Sequence, residues 1–191
     1  MSVELRRGFK AECERVSRST RSELGLTLLD PLDCIQLATH LGIPIVSLLE
    51  LSGEASHISI KRLLAPNSRF WALTVCVGTK RLIIYNPRQP PGRRANSLAH
   101  ELSHVILEHP ATPALGMGGC RQWDPILEGE ADWLAGALLV PRDGALAWLK
   151  KERSIEDGAK HYGVSLALFR WRVNQTGVSR QLSYRQRAAV P

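Results

Sequence analysis

The chain has 191 residues, of which 44% are hydrophobic and 23% are charged, and its net charge is +7. This composition is typical of a folded protein and excludes a disordered or collagen-like chain. The longest apolar run, residues 133–140, is far shorter than the ~20 residues that cross a bilayer. The first residues also lack the basic-then-apolar order of a signal peptide. We therefore expect a cytoplasmic protein with no membrane partner.

The positive charge is concentrated near the C-terminus, where residues 142–191 contain ten basic and four acidic residues. Such a bias favours an acidic partner or nucleic acid, with a solvated basic tail as an equal alternative. The cysteines are too scattered for a zinc knuckle or a disulfide framework, so we expect reduced thiols. Cys120 follows a glycine-rich run and is predicted to be an ordinary loop thiol.

The first half of the chain predicts short helices and a small antiparallel sheet. Apolar residues at helical spacing alternate with runs of β-branched residues, and the breaks between them contain Gly or Pro. Residues 55–65 fit either a strand or a helix, and we predict a helix. The predicted helices cover residues 3–24, the segment between Asp30 and Gly42, and residues 55–65, whereas the predicted strands cover residues 43–47, 70–77 and 81–85.

The second half predicts two long helices followed by a helical hairpin. The long helices cover about residues 93–109 and 125–140, and a loop with Gly and Pro separates them. Over residues 154–178, Ser154 and Ser165 are typical helix caps, because a serine side chain can accept from the free amides of a first turn. The spacing of the apolar residues there resembles a helix-turn-helix.

The segment from His100 to His104 has the pattern His-Glu-x-x-His. Two imidazoles one helical turn apart can bind one zinc ion, and the intervening glutamate can act as general base in a peptidase. The core-facing stripe of this helix, around Leu102, lies nearly opposite the two histidines. The pattern therefore predicts His100 and His104 as metal ligands and Glu101 as the catalytic base, in preference to two solvated histidines on a surface helix.

A catalytic zinc site needs a third protein ligand, which the following helix can supply. Glu128 and Asp132 lie one turn apart on the same face of that helix, whereas Glu130 points about 200° away from Glu128. We predict Glu128 as the third ligand. Asp132 is predicted to orient a histidine from outside the metal shell, as carboxylates commonly do.

Several stretches of the chain resemble the ImmA/IrrE family of metallo-endopeptidases. The likeness extends over about residues 8–178, and the matching motifs occur in the expected order. They are Ile84-Tyr85-Asn86-Pro87, residues 98–104 with Leu107 and His109, residues 128–135, and residues 138–141.

The resemblance implies helices around a small antiparallel sheet and zinc held by two histidines and a glutamate. It also implies a helix-turn-helix repressor protein as the substrate, whose cleavage relieves repression. Because members differ at the residue that stabilises the transition state, His109, His161 and Tyr162 all remain candidates. The loop over residues 110–123 also varies among members, and such loops often determine substrate choice.

The helical hairpin near the C-terminus has two interpretations. It can pack on the peptidase, which we slightly favour, or it can contact DNA or a partner through Arg170 and Arg172. In the second case Arg180, Arg185 and Arg187 would add phosphate contacts.

Together these patterns predict an α+β protein with a mainly helical, zincin-like core. The predicted divisions are a metallopeptidase domain over residues 1–145, a helix-turn-helix-like module over residues 146–178 and a basic, flexible tail over residues 179–191. The predicted function is zinc-dependent peptide cleavage, with manganese as a possible replacement for zinc. The alternatives are a transcriptional regulator or antitoxin-type binding protein with a structural or vestigial zinc site, and a hydrolase of small amides.

Overall fold

The structure is a computed structural model, and it describes residues 4–53, 57–77, 80–110 and 124–188. The chain forms two compact units. Unit 1 contains residues 1–5 and 33–132, and unit 2 contains residues 6–32 and 133–191. In the described parts, no helix combines the length and the apolar composition that a membrane span requires.

Unit 1 begins with a short helix and a mixed set of small elements. Asp33 caps the first helix by accepting from the amide of Ile35 at 2.8 Å, so the cap lies three residues after the predicted Asp30. The ambiguous segment near residue 60 is helical, as predicted. The elements are α2 (Cys34–His40), β1 (Ile45–Ser47), a 3-10 turn (Glu50–Gly53), α3 (His57–Leu63), β2 (Ala72–Val77), β3 (Lys80–Tyr85) and α4 (Pro91–Ile106).

The sheet of unit 1 has the strand order β1-β3-β2. Strands β2 and β3 form the predicted antiparallel hairpin, with Thr74 opposite Ile83. Strand β1 pairs with β3 in parallel, with Ile45 opposite Ile83, so the sheet is mixed and the expectation of a purely antiparallel sheet is corrected. The difference arises because residues 48–79, which include a helix, separate β1 from β3 and return the chain in the same direction.

Unit 2 is built from helices. Its elements are α1 (Phe9–Glu23), the second part of α5 (Pro125–Leu139), α6 (Arg142–Leu149), α7 (Ile155–His161), α8 (Leu166–Gln175) and α9 (Val178–Ala188). The predicted caps are confirmed, because the Ser154 hydroxyl accepts from Asp157 N at 2.9 Å and the Ser165 hydroxyl accepts from Leu168 N at 3.1 Å. Gly163 has a φ of 64°, which a glycine adopts without steric cost at the end of α7.

Helix α9 lies where the sequence predicted a basic, flexible tail, residues 179–191. The structure has a helix over most of this segment, and Arg142 Nη2 donates to Gln181 Oε1 on it at 2.8 Å. The sequence did not predict this helix, because a polar segment gives little apolar periodicity. The predicted domain boundaries at residues 145 and 178 stay a prediction. The two compact units are defined by contacts within the chain and do not test those boundaries.

Candidate metal centre

Helix α4 presents its histidines on the side away from its buried stripe. Leu98, Ala99 and Leu102 are all buried, which anchors the helix and leaves the opposite face open to a ligand. His100 and His104 lie on that face, four residues apart, so their side chains stack one turn above the other. Their ring centroids are 4.8 Å apart.

Helix α5 brings a carboxylate to the same place. The helix begins at Pro125, as predicted, and the side chain of Asp124 accepts from Ile126 N at 2.9 Å. Glu128 lies in the first turn and is 8% exposed. A carboxylate at this position is favoured because the first turn has unpaired amides and a partial positive charge.

Three donor groups converge between these helices. Nε2 of His100 lies 3.1 Å from Nε2 of His104 and 3.1 Å from Oε2 of Glu128. Nε2 of His104 lies 3.8 Å from Oε1 of Glu128. The structure therefore brings together the three side chains that the sequence predicted as ligands, and their donor atoms lie within 4.8 Å of one another.

Nδ1 of each of the two histidines contacts another side chain. Nδ1 of His100 lies 2.8 Å from Oδ1 of Asp132, as the sequence predicted. Nδ1 of His104 lies 2.8 Å from Nδ1 of His109, whose Nε2 lies 3.3 Å from Oε2 of Glu130. With protons on Nδ1 of His100, Nδ1 of His104 and Nε2 of His109, Nε2 of both His100 and His104 keeps a lone pair directed at the cluster.

The approach of His109 depends on an unusual helix end. His109 N donates to His104 O at 3.0 Å and Glu108 N donates to Val105 O at 3.1 Å, which is the Schellman pattern. Glu108 has a φ of 54°, a left-handed conformation that costs a residue with a Cβ roughly 1 kcal/mol or more. The turn brings His109 back against the helix. It does so with Glu108 in a conformation that normally favours glycine.

Helical geometry alone did not predict the contact between Glu130 and His109. Glu130 points away from Glu128 on α5, but His109 lies beyond the end of α4 and reaches that other side. The available signal was a histidine five residues after His104, where a returning turn can place it against the helix. His109 was predicted as a candidate to stabilise the transition state, whereas in the structure its Nδ1 lies against Nδ1 of His104.

The electrostatics of the cluster follow from this arrangement. Burial lowers the pKa of His100, but hydrogen bonds to Asp132 and Glu128 outweigh burial and raise the pKa to about 9. Burial raises the pKa of Glu128, but hydrogen bonds from His100 and His104 outweigh it and hold the pKa far below its usual range. Burial and the neighbouring His104 lower the pKa of His109, against the opposing effect of Glu130.

Glu101 is 3% exposed although it is acidic. The hydroxyl of Thr74, on strand β2, donates to Oε2 of Glu101 at 2.5 Å. Among the described residues no hydrogen bond occupies the other oxygen, Oε1. Thr74 was not predicted from the sequence, because its contact with Glu101 depends on the packing of β2 against α4.

The other two candidates for transition-state stabilisation are engaged within unit 2. Nε2 of His161 lies 2.6 Å from Leu29 O, and its ring stacks on Trp148. The hydroxyl of Tyr162 donates to Leu28 O at 2.9 Å, and burial raises the pKa of Tyr162 to about 12. Nε2 of His161 and the hydroxyl of Tyr162 therefore already have partners in that unit.

Arg170 and Arg172, predicted as nucleic-acid or partner contacts, have different environments. Arg172 is 0% exposed, donates from Nε to Val140 O at 3.0 Å and pairs with Glu14. The expectation for Arg172 is therefore corrected, because a fully buried guanidinium cannot contact a phosphate. Arg170 is exposed and lies 3.4 Å from Glu156, so its role stays a prediction. The side chains of Arg185 and Arg187 are outside the described residues, as is all of Cys120.

The donor set fits a zinc ion. Two imidazole nitrogens and a carboxylate are ligands that zinc prefers, and bonds of about 2.0–2.1 Å in a tetrahedral site place neighbouring donors roughly 3.3 Å apart. The separations of 3.1, 3.1 and 3.8 Å are close to that spacing. Within the described chain, three side chains form this group, so a tetrahedral ion would keep one position for water or substrate.

Comparison with known proteins agrees with the sequence motifs. Residues 39–174, more than half of the chain, match the Peptidase_M78 family model, described as the IrrE N-terminal-like domain. The chain belongs to this family. The resemblance to ImmA/IrrE metallopeptidases is thereby confirmed, and the matched residues include the whole donor cluster.

A solved structure shares the fold. It is described as a Mycobacterium tuberculosis transcriptional regulator, with a TM-score of 0.51 and 17% sequence identity. The alignment covers 86% of this chain and 46% of the regulator, so the chain spans about half of that protein's length. No match was found among the curated proteins. The predicted mainly helical α+β fold is confirmed, with the sheet corrected to a mixed one.

Proposed function

We propose that this member of the IrrE-like peptidase family is a zinc-dependent endopeptidase. One observation carries the proposal: three ligand atoms converge, and the helix that supplies two of them, α4, also carries the buried Glu101. His100, His104 and Glu128 would hold the ion. A structural zinc site is normally closed by four protein ligands, whereas a catalytic site keeps a position open. Manganese could occupy the same donors in its place.

Each residue has a defined task in this proposal. A bound zinc ion supplies Lewis acidity, which polarises a carbonyl group and makes water a stronger acid. Glu101 accepts the proton of the attacking water at Oε1 and passes it to the amine that leaves. Thr74 holds Oε2, which fixes the orientation of the carboxylate. Asp132 and His109 hold the two imidazole rings so that Nε2 of each faces the cluster.

The proposed substrate is a helix-turn-helix transcriptional repressor, and its cleavage would relieve repression. The support is membership of the IrrE-like family together with the ImmA/IrrE motifs. The substrate repressor is a partner in this proposal, and DNA is a weaker candidate partner because Arg172 is buried.

The substitution Glu101→Gln tests the reaction. It keeps the side chain's size but removes the basic oxygen, so we expect peptide cleavage to fall by roughly 10²–10⁴-fold while zinc remains bound. The assay incubates the zinc-loaded chain with the product of the neighbouring gene, as the candidate repressor, and identifies fragments by mass. Zinc content is measured in parallel by metal analysis. Full cleavage by the variant would refute the role of Glu101.

A transcriptional regulator that keeps the metal only for structure is the second candidate. The fold shared with a regulator favours it, although likeness at this identity concerns the fold alone. It predicts that the zinc-loaded wild-type chain leaves the repressor intact and binds it or its operator. Intact repressor together with tight binding would favour this candidate over the peptidase.

A further inference from the structure

A groove separate from the donor cluster lies in unit 1 between two connections of the chain. One wall is the segment from α3 to β2, residues 64–71, and the other is the segment from β3 to α4, residues 86–93. Its volume is about 620 Å³, within the range of roughly 300–1,000 Å³ that ligand pockets have. We call it the arginine groove, because Arg69, Arg88 and Arg93 line it and no acidic residue of the described chain does.

The two walls are fastened to each other. Asn86 is 5% exposed and donates from Nδ2 to Leu63 O at 3.1 Å and to Phe70 O at 3.3 Å. Arg88 Nη1 donates to Leu64 O at 2.9 Å. These bonds hold the groove in shape, so a ligand would find it already formed. They also explain the Asn86-Pro87 motif, which the metal centre does not use.

The lining combines positive charge with aromatic surface. The guanidinium of Arg93 stacks on Trp71 with its carbon 3.8 Å from the ring centroid, which orders the side chain and leaves its edge free to bind a carboxylate. Gln89 adds an uncharged polar side chain to the lining. The groove thus has an excess of donors and positive charge.

The groove lies along the same helix as the proposed catalytic residues. Arg93 precedes His100 by seven residues, which is two turns, so both lie on one face of α4 about 10 Å apart along its axis. Trp71 lies immediately before strand β2 and precedes Thr74 by three residues, again about 10 Å of extended chain. An extended peptide covers that distance in about three residues.

We propose that the arginine groove binds an acidic side chain of the polypeptide substrate, two to four residues from the bond that is cleaved. This inference rests on the proposed peptidase function. A polypeptide is favoured over nucleic acid because the positive charge is gathered in one aromatic-lined groove beside the cluster. A DNA backbone is bound by a basic stripe spread along a surface.

The first experiment measures binding, independently of cleavage. The probe is a fluorescein-labelled octapeptide in which Glu alternates with Ala, and its twin has Gln in place of Glu. The full zinc-loaded chain carries Glu101→Gln so that the peptide stays intact. At low salt we expect the Glu peptide to bind about tenfold more tightly, since a bond to a charged group is worth roughly 1.5 kcal/mol or more.

Arginine variants locate the binding. Arg93→Gln should remove most of the preference for Glu, whereas Arg93→Lys should keep part of it, since it retains the charge but loses the planar fork. The matched control is Arg153→Gln, because Arg153 also stacks on a tryptophan, Trp148, with its carbon 4.4 Å from the ring centroid, but lies outside the groove. Circular dichroism melting curves check that each variant is folded.

Three outcomes would overturn the inference. The two peptides could bind equally, Arg153→Gln could weaken binding as much as Arg93→Gln, or a single-stranded octanucleotide could bind more tightly than the Glu peptide through the same arginines. The last outcome would assign the groove to nucleic acid.

A second experiment tests the link to cleavage with peptides from a digested bacterial proteome. The wild-type chain should cleave with Asp or Glu enriched two to four residues from the cut, and Arg93→Gln should lose the enrichment. Cleavage without enrichment overturns the groove's role and leaves the proposed function intact. Absence of cleavage by the wild-type chain overturns the proposed function and, with it, the link between the groove and a substrate.

Discussion

In unit 2 the buried guanidinium groups donate to protein acceptors, whereas in unit 1 two half-buried imidazoles face each other. Arg21 is 1% exposed and donates to the carbonyls of Thr27 at 3.0 Å, Asp30 at 2.6 Å and Leu138 at 2.8 Å. Burial lowers its pKa, yet these acceptors are all directed at the cation. In unit 1, by contrast, Nε2 of His100 and Nε2 of His104 are 3.1 Å apart.

The contrast separates a structural use of buried polar groups from a ligand site. A buried charge with protein partners already in place makes the local fold specific and has nothing further to bind. Two imidazole nitrogens and a carboxylate that converge on one point are satisfied best by a cation between them. The direction of the donor atoms distinguishes the two cases.

The largest expected effect concerns the paired cation in unit 2. Arg172→Met keeps the volume but leaves Glu14 without its buried partner, so we expect a loss of about 3 kcal/mol of unfolding free energy. Arg170→Met is the matched control, because Arg170 is exposed and should change stability by less than about 0.5 kcal/mol. Urea unfolding followed by circular dichroism measures both. Equal effects of the two variants would show that Arg172 is not a structural cation.

The next effect concerns the residues behind the histidines in unit 1. His109→Phe keeps a ring of similar size but removes the contact to Nδ1 of His104, so zinc affinity should fall roughly 10–100-fold. Glu130→Ala should act in the same direction, more weakly. Competition with a chromophoric chelator measures the affinity, and His40→Phe, an exposed histidine on α2, is the control. Unchanged zinc affinity in His109→Phe would remove its positioning role.

Close packing in unit 2 gives the third prediction. A Cβ on Gly158 would lie 2.5 Å from Cζ of Phe169, which is buried. Gly158→Ala should therefore lower the unfolding free energy by about 1–2 kcal/mol, since overpacking outweighs the gain in helix propensity. Lys160→Ala on the same helix, where the side chain is exposed, should be close to neutral. A more stable Gly158→Ala variant would contradict the packing of α7 against α8.

The smallest effect is a pH dependence in unit 2. The pKa of Tyr162 is raised to about 12 by burial, against the opposing effect of Arg21, whereas an unfolded tyrosine has a pKa of about 10. The neutral hydroxyl therefore contributes stability that is complete below about pH 10 and is lost as the pH rises toward 12.

Tyr162→Phe isolates this contribution. The variant should be less stable than the wild-type chain at pH 8 by about 1 kcal/mol, through the lost bond to the Leu28 carbonyl. That difference should shrink between pH 10 and 12, as measured by urea unfolding at several pH values. A difference that stays constant up to pH 12 would contradict the buried, neutral hydroxyl.

Much of the local structure followed from the sequence. Helix α3, the hairpin of β2 and β3, and the caps at Ser154 and Ser165 were predicted because each depends on residues within a few positions of one another. The segment that became α9 was not, since its polar residues give little periodicity. Strand β1 was wrongly assigned to an antiparallel sheet. The direction in which it pairs depends on the path of the intervening chain, which the local sequence does not determine.

The sequence by itself determined the proposed donor trio. The spacing of His100 and His104 fixes their common face, and helical geometry alone selects Glu128 and Asp132 together on the next helix. Only the tertiary structure decided that Thr74 holds Glu101, that Glu130 supports His109 behind His104, and that Arg172 is buried. Each of these contacts joins side chains from different elements, and their meeting depends on how those elements pack, which no periodicity along the chain encodes.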